Sequence, residues 1–189
     1  MRVLNLIWKG ITIVPVRMMQ QGFRTTWLWL AEKVHRVRKG VSPDQTSKVT
    51  DHLWVGGQHY TRGLKQMELC GISASLNLRE EADDAHGGVA LQKHLWLPTP
   101  DDDAPSLEQL QQGVTFIRDA VGAGGKVYIH CAQGVGRAPT MAAAYLVSEG
   151  HSPREAMDMI RKVRPFITPT PIQLRRLEEW AKVARNGMG

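Results

Sequence analysis

The stretch that decides the fold spans residues 126–140 and reads KVYIHCAQGVGRAPT. Its first part, Lys126–His130, is β-branched and aromatic and follows the glycine loop Gly122–Gly125, which predicts a buried strand. The chain then passes through a short segment with two glycines into Met141–Ser148, which is typical of a helix. A buried strand, a glycine-bearing loop and a helix in this order indicate an α/β domain.

The rest of the chain continues this alternation. Further apolar runs predict strands at Leu53–Gly57, Ile72–Leu78 and His94–Leu97. Three helix starts carry a hydroxyl followed three residues later by Gln or Glu, which is the capping-box pattern: Ser106 with Gln109, Ser152 with Glu155, and Thr170 with Gln173. The sequence therefore predicts an α/β fold with a central, mainly parallel sheet flanked by helices.

The positive charge is concentrated at the N-terminus. The 189 residues include 24 Lys and Arg against 18 Asp and Glu, a net charge of +6. Residues 1–40 contain eight of these bases and one acid, a balance of +7, so residues 41–189 sum to −1. Nucleic-acid-binding proteins carry positive charge on the folded domain, so we expect no nucleic-acid partner.

The charge pattern divides the chain into three parts. Residues 1–40 are predicted to form an amphipathic helical extension, residues 41–47 a polar linker, and residues 48–185 the folded domain. Charged residues interrupt the apolar runs of the extension, so we expect neither a membrane-spanning helix nor a signal peptide. Cys70 and Cys131 are too few for a disulfide framework, which favours a reducing, cytoplasmic setting.

One face of the extension is apolar. The residues on it recur at steps of three and four: Val16, Met19, Phe23, Trp27, Leu30, Val34 and Val37. The segment also contains Trp8 and Trp29, and its bases lie mostly off this face. Such a helix suits the headgroup region of an anionic membrane, and it suits packing on the folded domain or on a partner chain equally well.

The loop after the clearest strand has the composition of an anion-binding cradle. Glycines let successive backbone N–H groups converge, and the N-terminus of a helix adds free N–H groups and a positive dipole end. The Arg137 guanidinium adds a two-pronged donor for phosphate oxygens. The predicted phosphate-binding residues are Ala132, Gln133, Gly134, Val135, Gly136 and Arg137.

Cys131 lies at the base of this cradle. Because the cradle is positive, it favours a thiolate at Cys131 over the neutral thiol. A thiolate beneath a bound phosphoryl group predicts in-line attack on phosphorus and a phosphocysteine intermediate that water hydrolyses. Amides and arginine neutralise the phosphate, so we expect no metal and no other cofactor.

The pattern His-Cys-x-x-Gly-x-x-Arg, at His130–Arg137, resembles the signature loop of the protein tyrosine phosphatase superfamily. Lys48–Gln58 and Gly71–Leu78 are similar to the first strands of its dual-specificity members. The resemblance covers residues 47–185. It implies a compact α/β catalytic domain, a phosphomonoester substrate and supporting roles for His130 and Thr140.

The resemblance also implies a general-acid aspartate about 30 residues before the cysteine. Asp101, Asp102 and Asp103 lie at that position, and Asp101 is the first choice because it follows the third strand most closely. Family members commonly have Ser or Thr directly after the arginine, where this chain has Ala138. The Arg-Ala-Pro version resembles the loop of plant glucan phosphatases, so the change is compatible with turnover and is expected to slow hydrolysis of the intermediate.

Several substrates stay open on the sequence. The first is a phosphorylated protein. A lipid is the second, because Asp101 and the segments Ser106–Phe116, Ala142–Val147 and Ser152–Ala156 are similar to the phosphatidylglycerophosphate phosphatase group. A glucan is the third. A binding-only pseudophosphatase is the alternative from a different class, and the intact Cys131 and Arg137 argue against it.

Overall fold

The computed structural model describes the backbone of residues 2–186 and the side chains of residues 14–185, so Trp8 lies outside the described side chains. Four strands form one parallel sheet in the order β1-β4-β2-β3. Their bounds are β1 Leu53–Gly57, β2 Ile72–Arg79, β3 Lys93–Thr99 and β4 Lys126–Cys131. The predicted central parallel sheet is confirmed, and every predicted strand is present.

Helices flank the sheet. They are α1 Arg2–Lys39, α2 Thr61–Leu69, α3 Leu107–Gly122, α4 Arg137–Ser148, α5 Pro153–Val163 and α6 Pro171–Asn186. Helix α4 packs against α3, α5, α6 and the sheet, and its residues from Arg137 to Val147 are all buried. The α/β fold flanked by helices is therefore confirmed, with the helix after the glycine loop at its centre.

The predicted helix starts have the expected caps. The Ser106 hydroxyl accepts a hydrogen bond from the Gln109 amide, and the Gln109 side chain accepts one from the Ser106 amide. Ser152 and Glu155 form the same reciprocal pair at α5. At α6 the Thr170 amide donates to Gln173 Oε1 at 2.9 Å. These local bonds place the first turn of each helix where the sequence predicts it.

Helix α1 packs on the domain through a face that is not its apolar one. Thr26, Trp29, Glu32 and Arg36 are buried. The predicted apolar face points the other way, and Met19, Phe23 and Trp27 are 89%, 69% and 60% exposed. Gly22 interrupts the helical backbone with a φ of 80°.

Residues 41–47 fold onto the domain between α1 and β1. Val41, Ser42 and Ser47 are buried, and Asp44–Thr46 forms a 3-10 helix. Among the described residues, no helix has a stretch long and apolar enough to cross a membrane.

Candidate active site

The loop between β4 and α4 surrounds the thiol of Cys131, which is buried. The Gly134 amide donates to Cys131 Sγ at 3.3 Å. Gly134 has a φ of 65°, and a Cβ there would collide with the Gly56 carbonyl of β1, so glycine is required twice over. The strand end, the loop and the start of α4 therefore have the arrangement that the sequence predicts for an anion cradle.

Arg137 is anchored by the carboxyl ends of two other strands. Its Nη1 donates to the Leu78 carbonyl at 3.3 Å and to the Thr99 carbonyl at 2.7 Å. Glu81 accepts from both terminal nitrogens, at 3.1 and 3.2 Å. The Arg137 Nε is buried without a hydrogen-bond partner among the described residues. A buried N–H group costs free energy until it finds an acceptor, so this atom calls for one in the cavity.

Glu81 was missed by the sequence reasoning. Burial opposes its charge, but hydrogen bonds from Arg137 and Arg79 and the Arg137 charge lower its pKa to about 2. For Arg137 itself, burial disfavours the charge, and the contact with Glu81 and the charges of Cys131 and Asp101 raise its pKa. The signal available was position, because Glu81 directly follows the carboxyl end of β2, where ligand sites of parallel sheets form.

The three aspartates after β3 have different surroundings. Asp101 Oδ1 lies 2.9 Å from Arg137 Nη2. Asp102 lines the same cavity and has a φ of 63°. Asp103 is turned back on its own loop, where its carboxylate accepts from the Ala104 amide at 2.7 Å. The structure thus places Asp101 next to the arginine, while its role as the acid stays a prediction.

His130 lies beneath the loop in a buried network. Its Nε2 lies 2.6 Å from Asp84 Oδ2, and the His59 ring packs edge-on against it. Burial opposes the Asp84 charge, but the contacts with His130 and Gln58 lower its pKa to about 2. Burial, followed by the charge of His130, lowers the pKa of His59 to about 4. Asp84 and His59 were missed, since no local pattern links them to His130.

The same three side chains are the described set best suited to a metal ion, because ligand-type atoms of His59, Asp84 and His130 lie within 4.8 Å of one another. Two of these atoms already have hydrogen-bond partners. His59 Nε2 contacts the Val89 carbonyl at 2.7 Å, and His130 Nε2 contacts Asp84. The arrangement therefore works as a hydrogen-bonded support beneath the loop.

Thr140 and Ala138 lie on the first turn of α4. The Thr140 hydroxyl donates to the Gly136 carbonyl at 2.9 Å, so it supports the loop from behind. Ala138 is fully buried. No described hydroxyl donates to the Cys131 sulfur, which receives the Gly134 amide alone.

A second buried arginine holds the outside of the loop. Arg164 donates to the Gly134 carbonyl at 2.6 Å and to the Gln133 carbonyl at 2.9 Å. Its charge faces Glu32 of α1 at 3.3 Å. The sequence reasoning missed this contact, which connects the N-terminal helix to the phosphate-binding loop.

The cavity above Cys131 has a volume of about 430 Å³. Gln133, Val135 and Gly136 line it, together with Arg137 and Asp101. Helix α1 contributes Val16, Arg17, Gln20 and Trp29 to the same cavity, which the sequence did not predict. The N-terminal extension therefore forms one wall of the site.

Comparisons with known proteins agree with this geometry. The family described as "Dual specificity phosphatase, catalytic domain" matches residues 53–183, more than half of the chain. Dual specificity protein phosphatase 2 of Mus musculus is 28% identical over 125 residues, covering 65% of this chain and 38% of that protein. The human phosphatidylglycerophosphatase and protein-tyrosine phosphatase 1 is 43% identical over 79 residues, covering 41% of this chain and 39% of that protein.

Solved structures show the same likeness. PTPMT1 in complex with PI(5)P is 27% identical with a TM-score of 0.69, over 75% of this chain and 97% of that one. Tk-PTP in its active form is 30% identical with a TM-score of 0.65, over 72% and 97%. The chain spans less than half the length of the curated relatives that it matches. With the Cys131–Arg137 loop in place and the family matched over most of the domain, the chain belongs to the dual specificity phosphatase family.

Proposed function

We propose that the protein hydrolyses phosphomonoesters through a phosphocysteine intermediate at Cys131. The observation that carries the proposal is the buried, unpartnered Nε of Arg137 in the cavity that holds the Cys131 sulfur. A phosphate oxygen is the acceptor that this donor and the loop amides suit together.

The first chemical step transfers the phosphoryl group to sulfur. The Cys131 thiolate attacks phosphorus, a P–S bond forms, and the P–O bond to the leaving group breaks. Asp101 gives its proton to the departing oxygen. In the structure Asp101 contacts the Arg137 guanidinium, so a bound phosphate competes with Asp101 for it and frees the carboxyl group to face the leaving oxygen.

The second step releases phosphate. A water molecule attacks phosphorus, Asp101 takes its proton, and the P–S bond breaks to return the thiolate and inorganic phosphate. Arg137 stays in place through both steps because Glu81 and the Thr99 carbonyl hold it from behind. Preorganised charge of this kind stabilises the equatorial oxygens of the transition state.

Hydrolysis of p-nitrophenyl phosphate tests the proposal. We expect Cys131→Ser to abolish turnover, while Cys70→Ser, which changes the other cysteine outside the cavity, keeps it. Asp101→Asn should lower the rate on a poor leaving group by about 10²–10³-fold, against a small effect of Asp102→Asn. Activity that survives Cys131→Ser refutes the mechanism, and a wild-type protein that binds phosphate without turnover supports the pseudophosphatase alternative.

A lipid substrate at an anionic membrane is the second candidate. It is supported by the exposed apolar face of α1, which carries aromatic side chains and belongs to the +7 segment. Relatives named for phosphatidylglycerophosphate and a solved structure with PI(5)P point to the same substrate class. Co-sedimentation with anionic vesicles, described below for α1, tests this attachment.

A further inference from the structure

Arg17 is a second guanidinium in the catalytic cavity. It comes from α1 and lines the cavity together with Cys131 and Arg137, although 114 residues separate it from Cys131 in the chain. Its side chain is half-buried. A cation enclosed in this way interacts more strongly with an anion than a fully solvated one does.

The position of Arg17 is defined by three contacts. Its guanidinium packs over the Trp29 ring at 4.7 Å. Its Nη1 donates to the Phe166 carbonyl at 3.3 Å and to Gln21 Oε1 at 3.2 Å. These partners are neutral, and among the described residues no carboxylate pairs with Arg17. The group is therefore oriented while its charge is left for a ligand.

The reacting phosphate does not need this charge. Arg137 and the loop amides already surround the phosphate position above Cys131. The cavity volume of about 430 Å³ falls within the range of sites for whole small ligands, roughly 300–1,000 Å³, so it holds more than one phosphate group. The substrate part beyond the reacting phosphate lies against the α1 wall.

We propose that Arg17 binds a second anionic group of the substrate, so that the preferred substrate is a phosphomonoester carrying another phosphate group. This inference rests on the proposed phosphatase function. Both a phosphorylated phospholipid and a free soluble bisphosphate have this chemistry. Val16, next to Arg17, lines the cavity and is also 49% exposed, so the Arg17 wall continues into the apolar face of α1.

The test compares two substrates that differ in the second group. One is p-nitrophenyl phosphate, which has none, and the other is the water-soluble deacylated headgroup of phosphatidylglycerophosphate, which carries a phosphodiester besides its phosphomonoester. We expect Arg17→Gln to lower the ratio of kcat/KM for the headgroup to that for p-nitrophenyl phosphate by about tenfold, as for a charge-assisted hydrogen bond. The loss should lie mainly in KM, because Arg17 does not touch the reacting phosphorus.

Matched variants separate binding from folding. Arg17→Lys should restore most of the ratio, because it keeps the charge. Arg24→Gln makes the same charge change at an exposed position of α1 and should leave the ratio on the soluble headgroup unchanged. Equal losses on both substrates in Arg17→Gln would assign Arg17 a structural role and overturn the inference while the phosphatase function stands.

The intact lipid in vesicles gives a further arm. A tenfold loss on the soluble headgroup as well as on the lipid supports direct contact with the second anion. A loss confined to vesicles overturns it, because Arg17 would then act through membrane attachment. Calorimetric binding of the headgroup to Cys131→Ser needs no turnover: about tenfold weaker binding after adding Arg17→Gln supports the inference, and equal affinity refutes it.

Discussion

At the residue scale, the environment of Cys131 differs from the family pattern at one atom. The family commonly places a hydroxyl directly after the arginine, and this chain has the fully buried Ala138 there. Thr140 does not replace it, because its hydroxyl donates to the Gly136 carbonyl. The departing thiolate of the second step therefore receives one amide hydrogen bond, from Gly134, and no described hydroxyl.

Ala138→Ser is expected to speed decay of the phosphocysteine by several-fold to about tenfold, because one added hydrogen bond to the leaving thiolate is worth about 1 kcal/mol. Rapid-quench measurement should show a burst of p-nitrophenol in the wild type and a smaller burst with faster steady-state turnover in the variant. Ala142→Ser adds the same hydroxyl one turn later on α4 and serves as the control. An unchanged burst and unchanged steady-state rate in Ala138→Ser would contradict this account.

At the element scale, α1 combines two roles on opposite faces. The buried face carries Trp29, Glu32 and Arg36 and packs on the domain. The outer face exposes Met19, Phe23 and Trp27. A soluble helix normally buries its apolar stripe, so this orientation indicates a further apolar surface for the outer face.

Phe23→Ser with Trp27→Ser is expected to weaken co-sedimentation with anionic vesicles by at least tenfold, because each ring contributes about 1 kcal/mol or more even when partly buried. Leu69→Ser removes a side chain that is 73% exposed on α2 and should leave sedimentation unchanged. The wild type should prefer anionic over zwitterionic vesicles, since the extension is basic. Equal sedimentation of wild type and double variant would exclude this face as the attachment site.

At the scale of the whole molecule, the N-terminal helix and the catalytic loop share one buried ion network. Glu32 faces Arg36 and Arg164, each at 3.3 Å, and accepts from the Ser42 hydroxyl at 2.6 Å. Arg164 in turn holds the Gln133 and Gly134 carbonyls. The packing of α1 is therefore coupled to the shape of the phosphate-binding loop.

Glu32→Gln is expected to lower the free energy of unfolding by about 3 kcal/mol or more, because it leaves two buried guanidinium groups without their carboxylate. Urea unfolding measures this loss. Glu149→Gln, which breaks the exposed pair with Arg118, is the matched control and should cost less than about 1 kcal/mol. Equal losses in the two variants would show that the buried network does not stabilise the fold.

The sequence by itself determined the parallel sheet, the three helix caps and the composition of the cradle at Cys131–Arg137. Each depends on residues within a few positions of one another, such as Ser106 with Gln109, so a local pattern suffices to predict them. Tertiary structure decided the partners of the cradle, because Glu81, Arg164 and Arg17 reach it from distant parts of the chain.

The orientation of α1 was decided in the same way. Its apolar stripe is visible in the sequence, but a stripe alone suits a protein core and a membrane equally. What turns it outward is the opposite face, where Glu32 finds Arg164, a residue 132 positions away. That pairing depends on the topology of the folded chain, and with it α1 becomes a wall of the catalytic cavity.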